Sequence, residues 1–202
     1  MKTIIMGTTN PAKIAQLRDA LAPIGVEVEG IDKKFLVEII ENGITAQENA
    51  HIKATTYAKA LRKTVISLDN ALFLNGLEPQ DQPGVNVRRI GGSVAVNDTE
   101  LLEHGITLIK LLGDKATGYW EYGACIAEPN GKVFETTLKT PRIFTSKPSK
   151  KIIQGYPLES IQIDPKTGKY ISEMTEKERA EFWQKTIGLE LCSFVEKCYM
   201  IK

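Results

Sequence analysis

Gly7, Thr8, Thr9 and Asn10 interrupt an apolar, β-branched run from Thr3 to Met6, and Pro11 follows where a helix would start. A strand, a polar turn and a helix N-terminus in that order gather unpaired backbone N–H groups at the positive end of the helix dipole, with Lys13 one turn in. Such a point can hold phosphate oxygens, Gly7 supplying the freedom to take positive φ. The plainer alternative is a turn in which Asn10 only caps the helix. Further on, Asn49 and Lys53 stand at i and i+4, so on a helix they share a face, either reaching one ligand or facing solvent. Asp69 and Asn70 close the apolar stretch that begins at Val65, and an acid there either caps a turn or projects into a cleft. Arg88 and Arg89, in a segment punctuated by Pro and Gly, are further groups that could point at an anion.

The inventory narrows the chemistry. Two histidines, His51 and His104, leave few candidates for a Ser-His-Asp relay or a multi-histidine metal centre. Carboxylates acting with a hard cation fit better. Cys125, Cys192 and Cys198 are odd in number, lack metal-ligand spacing and read as reduced residues of a cytosolic protein. A net charge of +1 gives no global field for nucleic acid or anionic lipid, and no apolar run reaches membrane-spanning length. With first residues that read as a strand rather than a signal peptide, the expectation is a cytoplasmic chain that binds neither nucleic acid nor membrane. At 202 residues, 42% hydrophobic and 25% charged, it is long enough for one domain, or two small lobes, with a buried core.

The elements that must position these residues follow from periodicity and caps. Ile14, Leu17, Leu21 and Ile24 recur at helical spacing before Gly25, and Val26, Val28 and Ile31 alternate as a strand would. Thr45 and Glu48 have capping-box spacing, which predicts a helix from Ala46 towards Lys63, with Glu38 and Glu41 just before it. Val65 to Leu68 make a buried strand, after which Ala71–Leu74 continues extended as a hairpin or return strand. Residues 78–96 read as a long loop. Asn97 and Glu100 then open a helix whose buried side is Leu101, Leu102, Ile106, Ile109 and Leu112. Trp120, Tyr122, Ala124 and Ile126 share a strand face, Asn130-Gly131 marks a hairpin into Val133 to Leu138, and Ile143-Phe144 and Ile152-Ile153 extend the sheet. Thr175 and Glu178 open a final helix to about Tyr199, with Phe182, Leu189, Phe194 and Val195 inward.

Taken in order, these pieces resemble the inosine triphosphate pyrophosphatase family. Thr8, Asn10 and Lys13 match its Thr-x-Asn-x-x-Lys phosphate loop. Glu41 to Ala54, ENGITAQENAHIKA, matches E-x-G-x-T-x-x-E-N-A-x-x-K-A, and Pro83-Gly84-Val85 with Arg89 matches the family's Pro-Gly-Val loop and arginine. Several motifs in one order favour the phosphate reading of the first loop and the ligand reading of the Asn49–Lys53 face. The resemblance implies an α/β, ITPase-like fold, a single domain over residues 1–202 made of two lobes, with a long mixed β-sheet flanked by helices, a nucleotide cleft between the lobes, and commonly a homodimer. It implies hydrolysis of a nucleoside triphosphate to the monophosphate and pyrophosphate with Mg2+, or Mn2+ in its place. Asp69 would orient or deprotonate the attacking water, Glu41 and Asp69 would hold the metal, and Lys13 and Lys53 would neutralise triphosphate oxygens. Thr8, Thr9, Asn10, Asn49, Asn70 and Arg89 would complete the phosphate side. The chemistry agrees, because phosphoryl transfer is mainly positioning and charge neutralisation.

The departures bear on selectivity. The family's acid before the position of Asp69 is Leu68, and its following Ser-Gly-Leu is Asn70-Ala71-Leu72. Its base-reading segment G-F-G-Y-D-P-I-F becomes Gly155 to Gln162, in which Tyr156 can stack, Glu159 keeps an acid and Pro157 replaces a glycine. Its Ser-His-Arg becomes Trp183-Gln184-Lys185, with Arg179 in place of the preceding lysine. A site built to hydrogen-bond one base rejects others strongly, so Gln184 and Lys185 imply a shift in base preference away from inosine and xanthosine triphosphates. Leu68 also leaves open a nucleotide-binding sensor of the same fold with impaired turnover.

Overall fold

The fold was analysed in a computed structural model that describes residues 2–92 and 95–200. Six strands, β1 (Thr3–Met6), β2 (Glu27–Gly30), β3 (Val65–Leu74), β4 (Lys115–Ala127), β5 (Val133–Thr145) and β6 (Gln162–Ile163), pair in the order β2-β1-β3-β4-β5-β6. β1 runs parallel to β2 and β3, with Ile4 opposite Val28 and Ile5 opposite Val65, while β5 and β6 are antiparallel. The mixed sheet and the helices α1 (Pro11–Leu21), α2 (Ala46–Leu61), α3 (Asp98–Leu111), α4 (Glu176–Trp183) and α5 (Leu189–Val195) make the fold α/β, as expected. No helix among the described residues is long and apolar enough to cross a membrane.

The chain forms two compact units. The first comprises the described residues of Met1–Asn70, Tyr122–Leu138 and Ala180–Lys202. Its core gathers Ile31, Ala50, Ala54, Tyr57, Val65, Cys125 and Ala127. Small alanines on α2 let that helix lie close to the strands, and its buried stripe is Ala46, Asn49, Ala50, Lys53, Ala54, Tyr57 and Ala58. Asn49 and Lys53 therefore sit on the buried face and not on a solvated one. At the other side of this unit, the Cys192 thiol donates to the Ala20 carbonyl at 3.2 Å, joining α5 to α1.

The second unit comprises the described residues of Ala71–Glu121 and Lys139–Arg179. Leu72, Leu74, Leu101, Leu102, Ile109, Phe144, Leu158 and Ile161 form its core, with Ile106, Leu112 and Trp120 packed against it. The predicted cap at Asn97 forms in full: its side chain accepts from Glu100 N, and Glu100 returns a carboxylate to Asn97 N. Most of the predicted loop over 78–96 is irregular, although Ser93 and Val94 lie outside the described residues. Gln82 pins its start, because the side chain pairs with both N–H and C=O of Leu74, and Gly84 pairs with Leu72 as an isolated bridge.

Several local expectations are corrected. Asp69 does not close a strand, since β3 runs uninterrupted through it to Leu74. A charge is tolerated within a buried strand because an ammonium group meets it, as described below. β5 likewise continues through Pro141. β6 pairs with β5 at Ile143 and Phe144, past Pro141, and proline is tolerated where a ladder is incomplete. Ile152 and Ile153 form no strand, for the Tyr156 N–H turns back onto the Ile153 carbonyl. The final helix changes pitch: π-helical turns at Gln184–Gly188 and Glu196–Met200 widen the repeat, so Trp183, Ile187, Leu191 and Val195 face inward at steps of four while Leu189 is 77% exposed.

Candidate active site

The amino-terminal loop takes its shape from its own side chains. Asn10 caps α1, its Oδ1 accepting from Ala12 N at 2.9 Å and Lys13 N at 3.4 Å, and Thr8 Oγ1 accepts from Asn10 N at 3.1 Å. Thr9 at the tip is exposed. Gly7 is required by contact, not by positive φ: a Cβ there would lie 2.2 Å from Ser67 Oγ on β3. The result presents Lys13 on the first turn of α1, beside β3.

Asp69 is where the charges meet. Lys53 Nζ lies 2.6 Å from Asp69 Oδ1 and 3.2 Å from Glu41 Oε2, and Lys13 Nζ lies 4.0 Å from the same Asp69 oxygen. Lys53 and Asp69 are 7% exposed as residues, so this is a buried ion pair with one oxygen engaged by two ammonium groups. Attraction is strong in such a site and desolvation costly, which makes the pair a poor source of net stability and a sensitive one to break.

Glu41 reaches this point from an irregular segment that α2 braces. Asn49 Oδ1 accepts from Gly43 N at 2.9 Å, and Glu48 Oε2 accepts from Ile44 N at 2.7 Å. Glu48 thus returns its carboxylate to Ile44, not to Thr45 as a regular capping box would, although Thr45 Oγ1 still accepts from Glu48 N. A Cβ at Gly43 would stand 2.7 Å from Asn49 Oδ1, so only glycine lets the segment lie this close. Asn49, expected to touch a ligand, uses its Oδ1 here to hold Gly43, two residues from Glu41. Asn70 follows Asp69 and is half-buried.

The second unit holds Arg89, Tyr156, Glu159 and Arg179 of the predicted residues. Glu159 is 4% exposed, and its Oε2 has no hydrogen-bond partner among the described residues. Burial pushes its carboxyl up to about 7, against the opposing pull of Arg179 and Arg142. Arg142, on β5 and 4% exposed, was not legible in the sequence, where it is one arginine beside a proline. Arg88 donates to Asp98 Oδ1 at 2.8 Å and to the Gly155 carbonyl at 3.0 Å, while Gly155 N donates to Asp98 Oδ2. Burial acts to raise the Asp98 carboxyl, but the Gly155 N–H and Arg88 outweigh it and hold it below the usual range. Arg88 is therefore a clamp on the turn before Tyr156, and Arg89 is the exposed arginine of the two. Tyr156 is half-buried. In the first unit, Gln184 is half-buried and Lys185 is exposed, 3.4 Å from Glu181.

Glu159 gives a test by pH. Its folded-state value near 7, against an ordinary 4.5, means that the folded chain holds the extra proton between those values. Its contribution to stability is then fully present below about 4.5 and is lost as pH rises towards 7, by about 3 kcal/mol in total. Burial lowers the pKa of His104 and gives an opposite slope below 6.5, common to wild type and variant. Glu159→Gln is expected to match wild type in melting temperature near pH 4.5 and to exceed it increasingly up to pH 7.5. A difference that does not change with pH would overturn this account.

The Ham1 family profile matches residues 4–190. A protein of Exiguobacterium sp. strain AT1b named dITP/XTP pyrophosphatase is 31% identical over 182 residues, covering 88% of each chain. One of the same name from Rhodopseudomonas palustris is 30% identical over 139 residues, covering 65% of this chain and 63% of its own length. The Ham1 protein of Staphylococcus aureus has the same fold, with a TM-score of 0.73 and 21% identity over 97% of this chain and 99% of its own. That of Coxiella burnetii gives 0.74 at 18% identity over 98% and 100%. With two cations on one buried acid and a profile match spanning nearly all of the strands and helices, this chain belongs to the Ham1 family, an ITPase-like family.

Proposed function

We propose that this protein is a nucleoside triphosphate pyrophosphatase, a hydrolase of phosphoric anhydrides that converts an NTP or dNTP and water to the monophosphate and pyrophosphate. The observation that carries the reading is the junction of Lys53, Asp69, Glu41 and Lys13. One ammonium already bridges two carboxylates there, so the donor set fits a small hard cation that takes carboxylate oxygens and keeps part of its water. Glu41 and Asp69 would hold Mg2+, or Mn2+ in its place. When bound, the ion supplies charge neutralisation to the triphosphate oxygens.

The chain's own groups account for the rest. Lys13 and the N-terminus of α1, with Thr8, Thr9 and Asn10 shaping the loop, bind phosphate oxygens, and Lys53 leaves one of its two acids to do the same. Asp69, with Oδ1 fixed by the lysines, uses its second oxygen to orient water and accept its proton as the bond between the α- and β-phosphoryl groups breaks. Asn70 and Arg89 serve the phosphates, and Tyr156, Glu159, Arg179, Gln184 and Lys185 read the base. Gln184 and Lys185, in place of the family's His-Arg, shift base preference away from the hypoxanthine and xanthine of inosine and xanthosine triphosphates. We read the protein as one ITPase-like domain, a cytoplasmic homodimer acting on free nucleotides and on neither nucleic acid nor membranes.

The test is a panel of triphosphates with Mg2+, read as pyrophosphate and monophosphate released. Turnover of at least one nucleotide, lost when Mg2+ is chelated, is the expected result. Leu68, 4% exposed beside Asp69, favours a second reading in which binding persists without turnover. In that case nucleotide raises the melting temperature through binding linkage and no pyrophosphate appears. Silence in both assays would overturn both readings.

A further inference from the structure

A second cluster of ligating side chains lies in the first unit, away from the Lys53–Asp69 pair. His51 stands on α2, Cys125 on β4 and Glu135 on β5, and their Nδ1 or Nε2, Sγ and carboxylate oxygen all lie within 4.8 Å of one another. His51 Nδ1 is 3.0 Å from Glu135 Oε1. Both side chains are nearly half exposed, at 46% and 41%, whereas Cys125 is fully buried beneath them. His51 and Glu135 line a hollow of about 410 Å³ together with Gln47 and Glu48.

We propose that His51, Cys125 and Glu135 bind a thiophilic divalent cation of the Zn2+ class. One nitrogen, one sulfur and one oxygen ligand make a set that zinc accepts and magnesium does not, because a thiolate is a poor ligand for a hard ion. Tetrahedral bonds of zinc length place ligand atoms about 3.3–3.8 Å apart. The cluster spans that range, so small side-chain rotations suffice. The hollow supplies room for a fourth ligand, a water or a small anion. Gln47 already serves as an outer support: its Nε2 donates to Glu135 Oε1 at 3.1 Å and to the Ala124 carbonyl at 3.2 Å, and Thr137 Oγ1 donates to its Oε1 at 3.3 Å. Such supports fix the direction of a metal-binding carboxylate. On binding, the Cys125 thiol proton passes to solvent and sulfur binds as thiolate. The ion then ties α2 to the β4–β5 hairpin through its own ligands, two residues from Asn49 and two from Lys53.

A structural role alone would be a hydrogen bond between His51 and Glu135 over a core cysteine, and the two differ in measurement. The purified chain, with no nucleotide present, is dialysed against Zn2+ in an excess of Mg2+ and assayed for bound metal, then loaded with Co2+ for spectroscopy. The expected result is one Zn2+ per chain and a thiolate-to-cobalt charge-transfer absorption. His51→Ala and Glu135→Gln, both at exposed positions, are expected to weaken Zn2+ binding by at least about tenfold, since changes even in outer supports cost that much. Cys125→Ala is expected to abolish the charge-transfer absorption. Failure to retain Zn2+, His51→Ala binding as tightly as wild type, or an absorption that survives Cys125→Ala would each overturn the site. None of these readouts depends on triphosphate hydrolysis, so the result stands or falls apart from the proposed activity.

Discussion

Asp69→Asn is expected to lower pyrophosphate release by about 10²- to 10⁴-fold, the range lost with a positioned general base. The amide keeps the size of the carboxylate and still accepts from Lys53, so the arrangement around 2.6 Å from Nζ is preserved while proton acceptance is lost. Lys53 also keeps Glu41 as a partner at 3.2 Å, which limits the stability loss. Circular dichroism and a melting curve should show a folded protein, so the fall in rate cannot be assigned to unfolding. If Asp69→Asn releases pyrophosphate within tenfold of wild type, Asp69 is not the base.

Lys53→Met is expected to have the largest effect on stability of any single change at the site. It removes the ammonium from a pair whose side chains are 9% and 10% exposed and leaves Asp69 charged in a poorly solvated strand. Breaking such a pair from one side costs about 3–5 kcal/mol, which for a chain of this size corresponds to roughly 6–20 °C in melting temperature. Lys13, 4.0 Å from the same oxygen, offsets part of this. The double variant Lys53→Met with Asp69→Asn should recover much of the loss, because neither charge is then stranded. Losses that simply add would show that the two groups are not coupled. Activity falls in both Lys53 variants, as the triphosphate loses one of its counter-charges.

The two variants separate energetic roles that a distance alone does not. Asp69 is tested for proton acceptance with stability nearly held, whereas Lys53 is tested for compensation of a buried charge. A nucleotide-binding protein without turnover would show the stability pattern of Lys53→Met and no rate for Asp69→Asn to lower.

Local features were legible in the sequence because their causes lie within a few residues. Asn10, Thr45, Asn97 and Thr175 cap helices as their spacing predicts, since a cap is a bond from one side chain to an N–H two or three residues on. The Asn130-Gly131 turn and the β-branched strands follow from backbone preference in the same way. The motif order from Thr8 to Arg89 carried the family. The phase of the final helix was misread, because π-helical turns alter the repeat that a fixed 3.6-residue period assumes.

Tertiary structure decided what those residues meet. That Asp69 sits within a continuous strand depends on Lys53, 16 residues earlier, arriving at 2.6 Å. That Asn49 braces Gly43, two residues from Glu41, depends on how closely glycine lets that segment approach α2. Cys125, without ligand spacing in the sequence, comes together with His51 and Glu135 only because the α2 and β4–β5 segments are packed side by side. Sequence periodicity says which face of an element is apolar, but the partner across that face is set by strand order and register, through contacts that span tens of residues.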